Sequence, residues 1–178
     1  MKYFQKMKGV TISPPRVSLF EIIWSWLGAF LGIGVLSYCH FNLLATTDML
    51  MIIGSFGASA VLVYGAIRSP LAQPRNLVGG HVISALIGVT CYKLFPDQPW
   101  LASSLAVATA IAAMHATKTL HPPGGATALI AVIGSAEIHA LGYLYVVIPV
   151  GIGALAMLVI ALFINNIPAK RRYPEFWL

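Results

Sequence analysis

The sequence predicts an all-α fold, a polytopic transmembrane helical bundle, and three observations predict it. Of 178 residues, 58% are hydrophobic and only 9% charged, with a mean hydropathy of +0.83; a soluble domain carries about a quarter charged residues. The apolar residues fall into long runs, not into the alternation of half-buried strands. The net charge of +6 sits largely at the two ends, in Lys2, Lys6, Lys8 and Arg16, then Lys170, Arg171 and Arg172. Positive-inside topology accounts for such ends. With no soluble domain to carry it, nucleic-acid binding is excluded.

Residues 1–18 form a basic segment that lacks the short apolar core of a cleavable leader. The run 19–38 is therefore a retained first span. Further apolar segments cover about 50–67, 77–95, 100–117, 124–135 and 140–165. A full crossing takes about 20 helical residues, so the first, third, fourth and sixth are the secure spans. The second is marginal and the fifth too short; both are rich in Gly, Ala, Ser or Thr and read as half-length or re-entrant helices. With the N-terminus inside, six crossings place Arg68, Arg75, Lys118 and the 168–178 tail inside, and Asp48, Lys93, Asp97 and Glu137 outside. Four crossings with two re-entrant segments also leave both termini inside. The transmembrane domain is expected over 19–167, between basic cytoplasmic ends at 1–18 and 168–178.

The two short segments resemble each other, Gly57-Ala58-Ser59-Ala60-Val61-Leu62 against Gly125-Ala126-Thr127-Ala128-Leu129-Ile130. Long span, short segment, long span then repeats as 19–95 and 100–165, a possible inverted repeat of three segments each. Inverted repeats with interrupted helices hold substrate between their halves; the alternative is that small residues only allow close helix packing.

The stretch His121-Pro122-Pro123-Gly124-Gly125-Ala126-Thr127 breaks the apolar pattern most sharply. Irregular backbone at membrane depth lines a cavity or packs inside protein, and Pro suits a first helical turn. The expected result is two helix starts, at Gly57 and Gly125, entering from opposite faces. Each brings free N–H groups and roughly half a positive charge to the middle of the membrane, a site for an anion. Ser59 and Thr127 add hydroxyls, while Ala58, Ala126, Gly124 and the glycines let a ligand approach the backbone.

His121 either donates to the anion, carries a proton or braces the Pro122-Pro123 turn. Lys118 supplies electrostatic attraction or anchors the chain at the interface. Arg75 makes forked bonds to an oxyanion, or to lipid phosphate or loop carbonyls. Asn76 touches substrate, satisfies the loop or caps the third span. His81, His115 and His121 form a candidate proton path. No acidic or thiol ligand completes a metal shell beside them, so neither metal nor cofactor is expected. Cys39 and Cys91 read as inert thiols. Trp24, Trp26, Trp100, Trp177, Tyr38, Tyr92 and Tyr173 lie near segment ends as an aromatic belt. No pair of carboxylates and no Ser/His/Asp arrangement points to an enzyme.

The sequence resembles the HPP family of integral membrane proteins. The resemblance rests on His121-Pro122-Pro123, Gly57-Ala58-Ser59-Ala60, the loop Ser69 to Asn76, Gly79-Gly80-His81, and His121 through Leu129. It implies four membrane spans and, from members in chloroplasts and cyanobacteria, transport of nitrite. With neither a plastid transit sequence nor an appended regulatory domain in view, a bacterial cytoplasmic membrane is the expected location. Four to six spans make a thin wall around a pathway, so a homo-oligomer, most simply a dimer, is expected. The alternatives to transport are a membrane-embedded cofactor protein, a small-molecule sensor and a structural subunit.

Overall fold

The computed structural model describes residues 3–7, 11–47 and 49–178, all helix and connection with no strand among them. Lys2, Lys8 and Asp48, used above to argue topology, lie outside the described residues. Helix α1 runs Leu19–Tyr38, opened by Ser18, whose hydroxyl accepts from the Glu21 N–H, and it continues through a π turn to Leu43. Helix α2, Gly54–Ala60, extends through a second π turn to Gly65. Helices α3, Pro74–Leu94, and α4, Pro99–Ala116, each carry proline in the first turn, where its missing N–H leaves no bond unmade. Helix α5 spans Pro122–Ile133 and α6 spans Ala136–Leu141. The last span, Val146–Ile164, is kinked at Ile148-Pro149 before helix α7, Ile152–Ile164.

Four helices are long and apolar enough to cross a membrane: Leu19–Leu43, Pro74–Leu94, Pro99–Ala116 and Val146–Ile164. Gly54–Gly65 and Pro122–Ile133 are shorter apolar helices, each about 18 Å long at 1.5 Å per residue. The architecture is thus four spans plus two half-length helices. Three boundaries differ from the sequence reading, one being that α5 begins at Pro122 and not at Gly125. The sixth segment is not continuous: it divides at Gly142, whose φ of +52° suits glycine. The second segment becomes helical only from Gly54, three residues before Gly57.

Small residues let the helices close. Gly28 and Gly32 of α1 receive the ring of Tyr64, which is fully buried and donates to the Met157 carbonyl at 3.2 Å. Gly153 of α7 receives Phe56. Ala102, Ala106, Ala110 and Met114 form the buried stripe of α4. Without a hydrophobic drive between helices in lipid, this close approach is what holds them. Elsewhere on α1, Phe20, Trp26, Phe30 and Val35 are exposed.

The C-terminal tail folds back over one end of the bundle. Tyr173 is 2% exposed and donates to the Ala72 carbonyl at 2.8 Å, so it is a core residue and not part of an aromatic belt. Arg171 donates to the Tyr64 carbonyl at 2.6 Å and lies 3.3 Å from Glu21. Gln73 binds the Ile67 and Ser69 carbonyls and accepts from the Glu175 N–H. These contacts gather the starts of α1 and α3 and the ends of α2 and α7 at the same face.

Candidate functional site

The half-helices α2 and α5 lie antiparallel beside α3. Ser55, in the first turn of α2, meets Thr127 of α5, and Ser59, one turn later, meets His121, the residue that caps the start of α5. Their first turns overlap side by side. They do not meet end to end, as two helix starts aimed at one ion would.

Glycine makes the overlap possible on the α3 side. A methyl group at Gly124 would lie 2.8 Å from the Gly80 carbonyl oxygen and 2.8 Å from Ser84 Oγ. At Gly80 it would lie 2.5 Å from His121 Cβ. Backbone therefore touches backbone, and His81, next to Gly80, is drawn against His121. The two rings are 5.0 Å apart, centroid to centroid, at 62°, with Phe56 against the edge of His81. His81 is the eighth residue of α3, about 10 Å along it at 1.5 Å per residue.

A continuous hydrogen-bonded chain results. His121 Nδ1 donates to the Leu71 carbonyl at 2.8 Å, and His121 Nε2 is 2.9 Å from Ser59 Oγ. The same Ser59 Oγ is 2.7 Å from His81 Nε2, and His81 Nδ1 is 2.7 Å from Thr127 Oγ1. Thr127 in turn donates to Ser55 Oγ at 2.8 Å and, more weakly, to the Pro123 carbonyl at 3.3 Å. Ser55, Ser59, His81, His121 and Thr127 are all buried, none more than 1% exposed. Burying such groups in an apolar bundle costs about 1–3 kcal/mol apiece unless each finds a partner, and here each does.

The expected anion cradle is not built as the sequence suggested. Pro122 and Pro123 have no N–H, and the Gly124 N–H is already bonded to the His121 carbonyl at 2.8 Å, so the start of α5 offers few free donors. Gly57 is not a helix start: it and Ala58 are exposed on the outer side of α2, where Gly57 borders a shallow groove with Ser25, Trp26, Ala29 and Ile33. Gly125 and Ala126 are half-buried, Pro122 is exposed and Pro123 buried.

Four other candidates stand apart from the chain. His115 is exposed on α4 and Lys118 is exposed just beyond it, at φ 57°; neither joins the two buried histidines. Arg75 is half-buried with its Nε unpartnered. Asn76 is not the cap of α3, a position held by Gln73; its amide donates to the Leu120 carbonyl and ties α3 to the approach of α5. Ser55 was missed by sequence reasoning. Its signal was its offset of four from Ser59, which puts both hydroxyls on one helix face.

Residues 14–174 match the profile of a protein family described as "HPP, transmembrane region". Two transmembrane proteins of Dictyostelium discoideum are 49% and 43% identical to the chain over 99% of its length. The chain spans only 58% and 64% of these curated relatives. No solved structure matches it.

Proposed function

We propose, from the premise that the chain belongs to the HPP family of transmembrane proteins, that it moves a small inorganic anion, nitrite first, through the crossing of α2, α3 and α5. One observation carries the reading: a five-residue buried chain of hydroxyls and imidazoles sits where two half-length helices overlap inside an apolar bundle. Polar groups at membrane depth are costly, and they typically mark a solute or proton pathway.

In the closed arrangement these donors satisfy one another. Parting α2 from α5 turns the hydroxyls of Ser55, Ser59 and Thr127, and the His81 and His121 imidazoles, toward a solute. Neutral hydroxyl and imidazole donors hold a monovalent oxyanion loosely enough for release, as passage requires. Nitrite is the base of a weak acid, so uptake together with a proton suits both the passenger and the histidines. Lys118 and Arg75 act before entry, if at all, because both lie away from the chain.

The two relatives are eukaryotic, so the expected bacterial cytoplasmic membrane draws no support from them. Our reading places the protein in a cellular membrane with the basic 168–178 tail on the cytoplasmic side, and a dimer completing the wall around the pathway.

Purified protein in liposomes should accelerate nitrite entry over empty vesicles, more strongly with an inward proton gradient. Folded protein that gives no acceleration over empty vesicles would remove nitrite; binding without flux would favour a sensor.

A further inference from the structure

Protons can be counted along the buried chain, and the count depends on which way the Ser55 hydroxyl points. Five contacts link Leu71 O, His121, Ser59, His81, Thr127 and Ser55. Each needs one hydrogen. Two neutral imidazoles and the hydroxyls of Ser59 and Thr127 bring four, and Ser55 brings the fifth only when it donates to Thr127.

With Ser55 accepting from Thr127, as in the structure, one contact is left to fill. A carbonyl only accepts, so His121 Nδ1 must carry hydrogen. At the far end Thr127 donates to Ser55, so the hydrogen between Thr127 and His81 belongs to His81 Nδ1. A neutral His81 then accepts from Ser59 at Nε2. The single hydroxyl hydrogen of Ser59 is thereby used, and His121 Nε2 faces Ser59 Oγ at 2.9 Å with no hydrogen between them. One added proton on His121 Nε2 closes every contact.

The neutral chain closes in a different way. Ser55 turns to donate to Thr127, Thr127 donates to His81 Nδ1, His81 Nε2 donates to Ser59, and Ser59 donates to His121 Nε2. We infer that Ser55, Thr127, His81, Ser59 and His121 form a proton relay that stores one proton. The proton enters at the Ser55 end and is held as charge on His121.

The balance is explicit. Ser55 passes its hydrogen to Thr127, Thr127 passes its own to His81 Nδ1, His81 releases the Nε2 hydrogen to Ser59, and Ser59 protonates His121 Nε2. Ser55 recovers a hydrogen from the entering proton. Net, one proton is taken up, one positive charge appears, and His81 changes tautomer from Nε2–H to Nδ1–H.

The surroundings leave room for one charge at most, since burial among neutral partners already opposes it. The bonded partners of both rings are neutral: Ser59, Thr127 and the Leu71 carbonyl. Among the packed elements, α2 presents Ser55, Phe56 and Ser59, and α4 presents Met114, which also meets Ser84 of α3. The segment before α7 presents Tyr145, bonded to the Thr127 carbonyl at 3.2 Å, and the tail presents Tyr173, bonded to the Ala72 carbonyl. The nearest cations along the chain are Arg75, a turn and a half before His81 on α3, and Lys118, three residues before His121 in the exposed loop. With the rings 5.0 Å apart, a second proton on His81 would meet the first directly.

The inference concerns the proton alone and stands whichever solute moves. Its test is the nitrogen NMR spectrum of ¹⁵N-histidine-labelled full-length protein in lipid, titrated over the pH range in which the bundle stays folded. Single His→Gln variants assign the five histidines of the chain. At high pH, His121 should carry hydrogen on Nδ1 only and His81 on Nε2. At low pH, His121 should carry both, and His81 should switch to Nδ1 at the same midpoint. Ser59→Ala should uncouple the two changes.

A His81 that keeps one tautomer while His121 titrates would overturn the relay, as would two separate protonations or none. Should Ser59→Ala not fold, the unaltered protein still decides by the shared midpoint. Flux that fails while the tautomer switches rejects nitrite and keeps the relay; flux with a fixed tautomer does the reverse.

Discussion

Two of the buried polar clusters among the described residues are built on opposite plans. At the end of the bundle, Arg171, Tyr173 and Gln73 reach mainly for backbone carbonyls: those of Tyr64, Ala72, Ile67 and Ser69. Arg171 also pairs with Glu21. Burial draws its guanidinium below the ordinary value while Glu21 holds it up, and an arginine stays a cation regardless. These bonds have one possible direction. At the α2–α3–α5 crossing, side chain meets side chain, every bridging group both gives and takes a hydrogen, and the bonds have two possible directions. The first cluster clamps; the second has a choice of states. Polarity inside a membrane bundle therefore indicates function only when the bonding leaves a proton free to move.

Five substitutions probe that contrast, beginning with the largest effect. Gly124→Val forces a side chain into the Gly80 carbonyl and Ser84. Overpacking against backbone should cost about 3 kcal/mol, seen as loss of a monodisperse peak in detergent. Gly125→Val meets only Val107, at 3.9 Å, and should fold normally, the opposite of what a ligand cradle at Gly125 requires. Arg171→Ala removes the clamp and should cost about 2 kcal/mol by thermal unfolding. Whatever protein remains folded should keep the pH profile of transport; a shifted profile would mean the two clusters are linked.

Ser59→Ala should cost only about 1 kcal/mol of stability, yet bring proton-linked flux to background. Equal losses in both measurements would reduce the crossing to a second clamp. Lys118→Gly relieves a non-glycine residue at φ 57° and should raise stability by about 0.5–1 kcal/mol. If flux falls at the same time, the exposed amino group steers the anion after all.

Much of the architecture was readable before any coordinates. Run lengths distinguish the four spans from the two short helices, because helical rise sets how far each run reaches. Pro122-Pro123 marked the break, but the start expected at Gly125 lies three residues late, because the prolines themselves form the first turn of α5. The start of α2 was misplaced at Gly57 because Gly54, Ser55 and Phe56 have weak helix preference of their own. They are drawn into helix by Phe56 seating on Gly153 and by Ser55 meeting Thr127. The matched hydroxyls Ser59 and Thr127 were picked out by local likeness, but their link through His81 was not visible. His81 is 22 residues from one and 46 from the other. Gln73 and Tyr173 act across separations of about a hundred residues, which leave no local pattern in composition or period.

The backbone contact of Gly80 with Gly124 has a mechanical consequence. With no side chains between them, α3 and α5 share one tight seam. On the polar face, α2 is joined to that seam through two serine hydroxyls. On the transport reading proposed above, the moving element is α2, and parting it from α5 breaks the Ser59 bridge, so the step that opens the path also isolates the proton on one side of it.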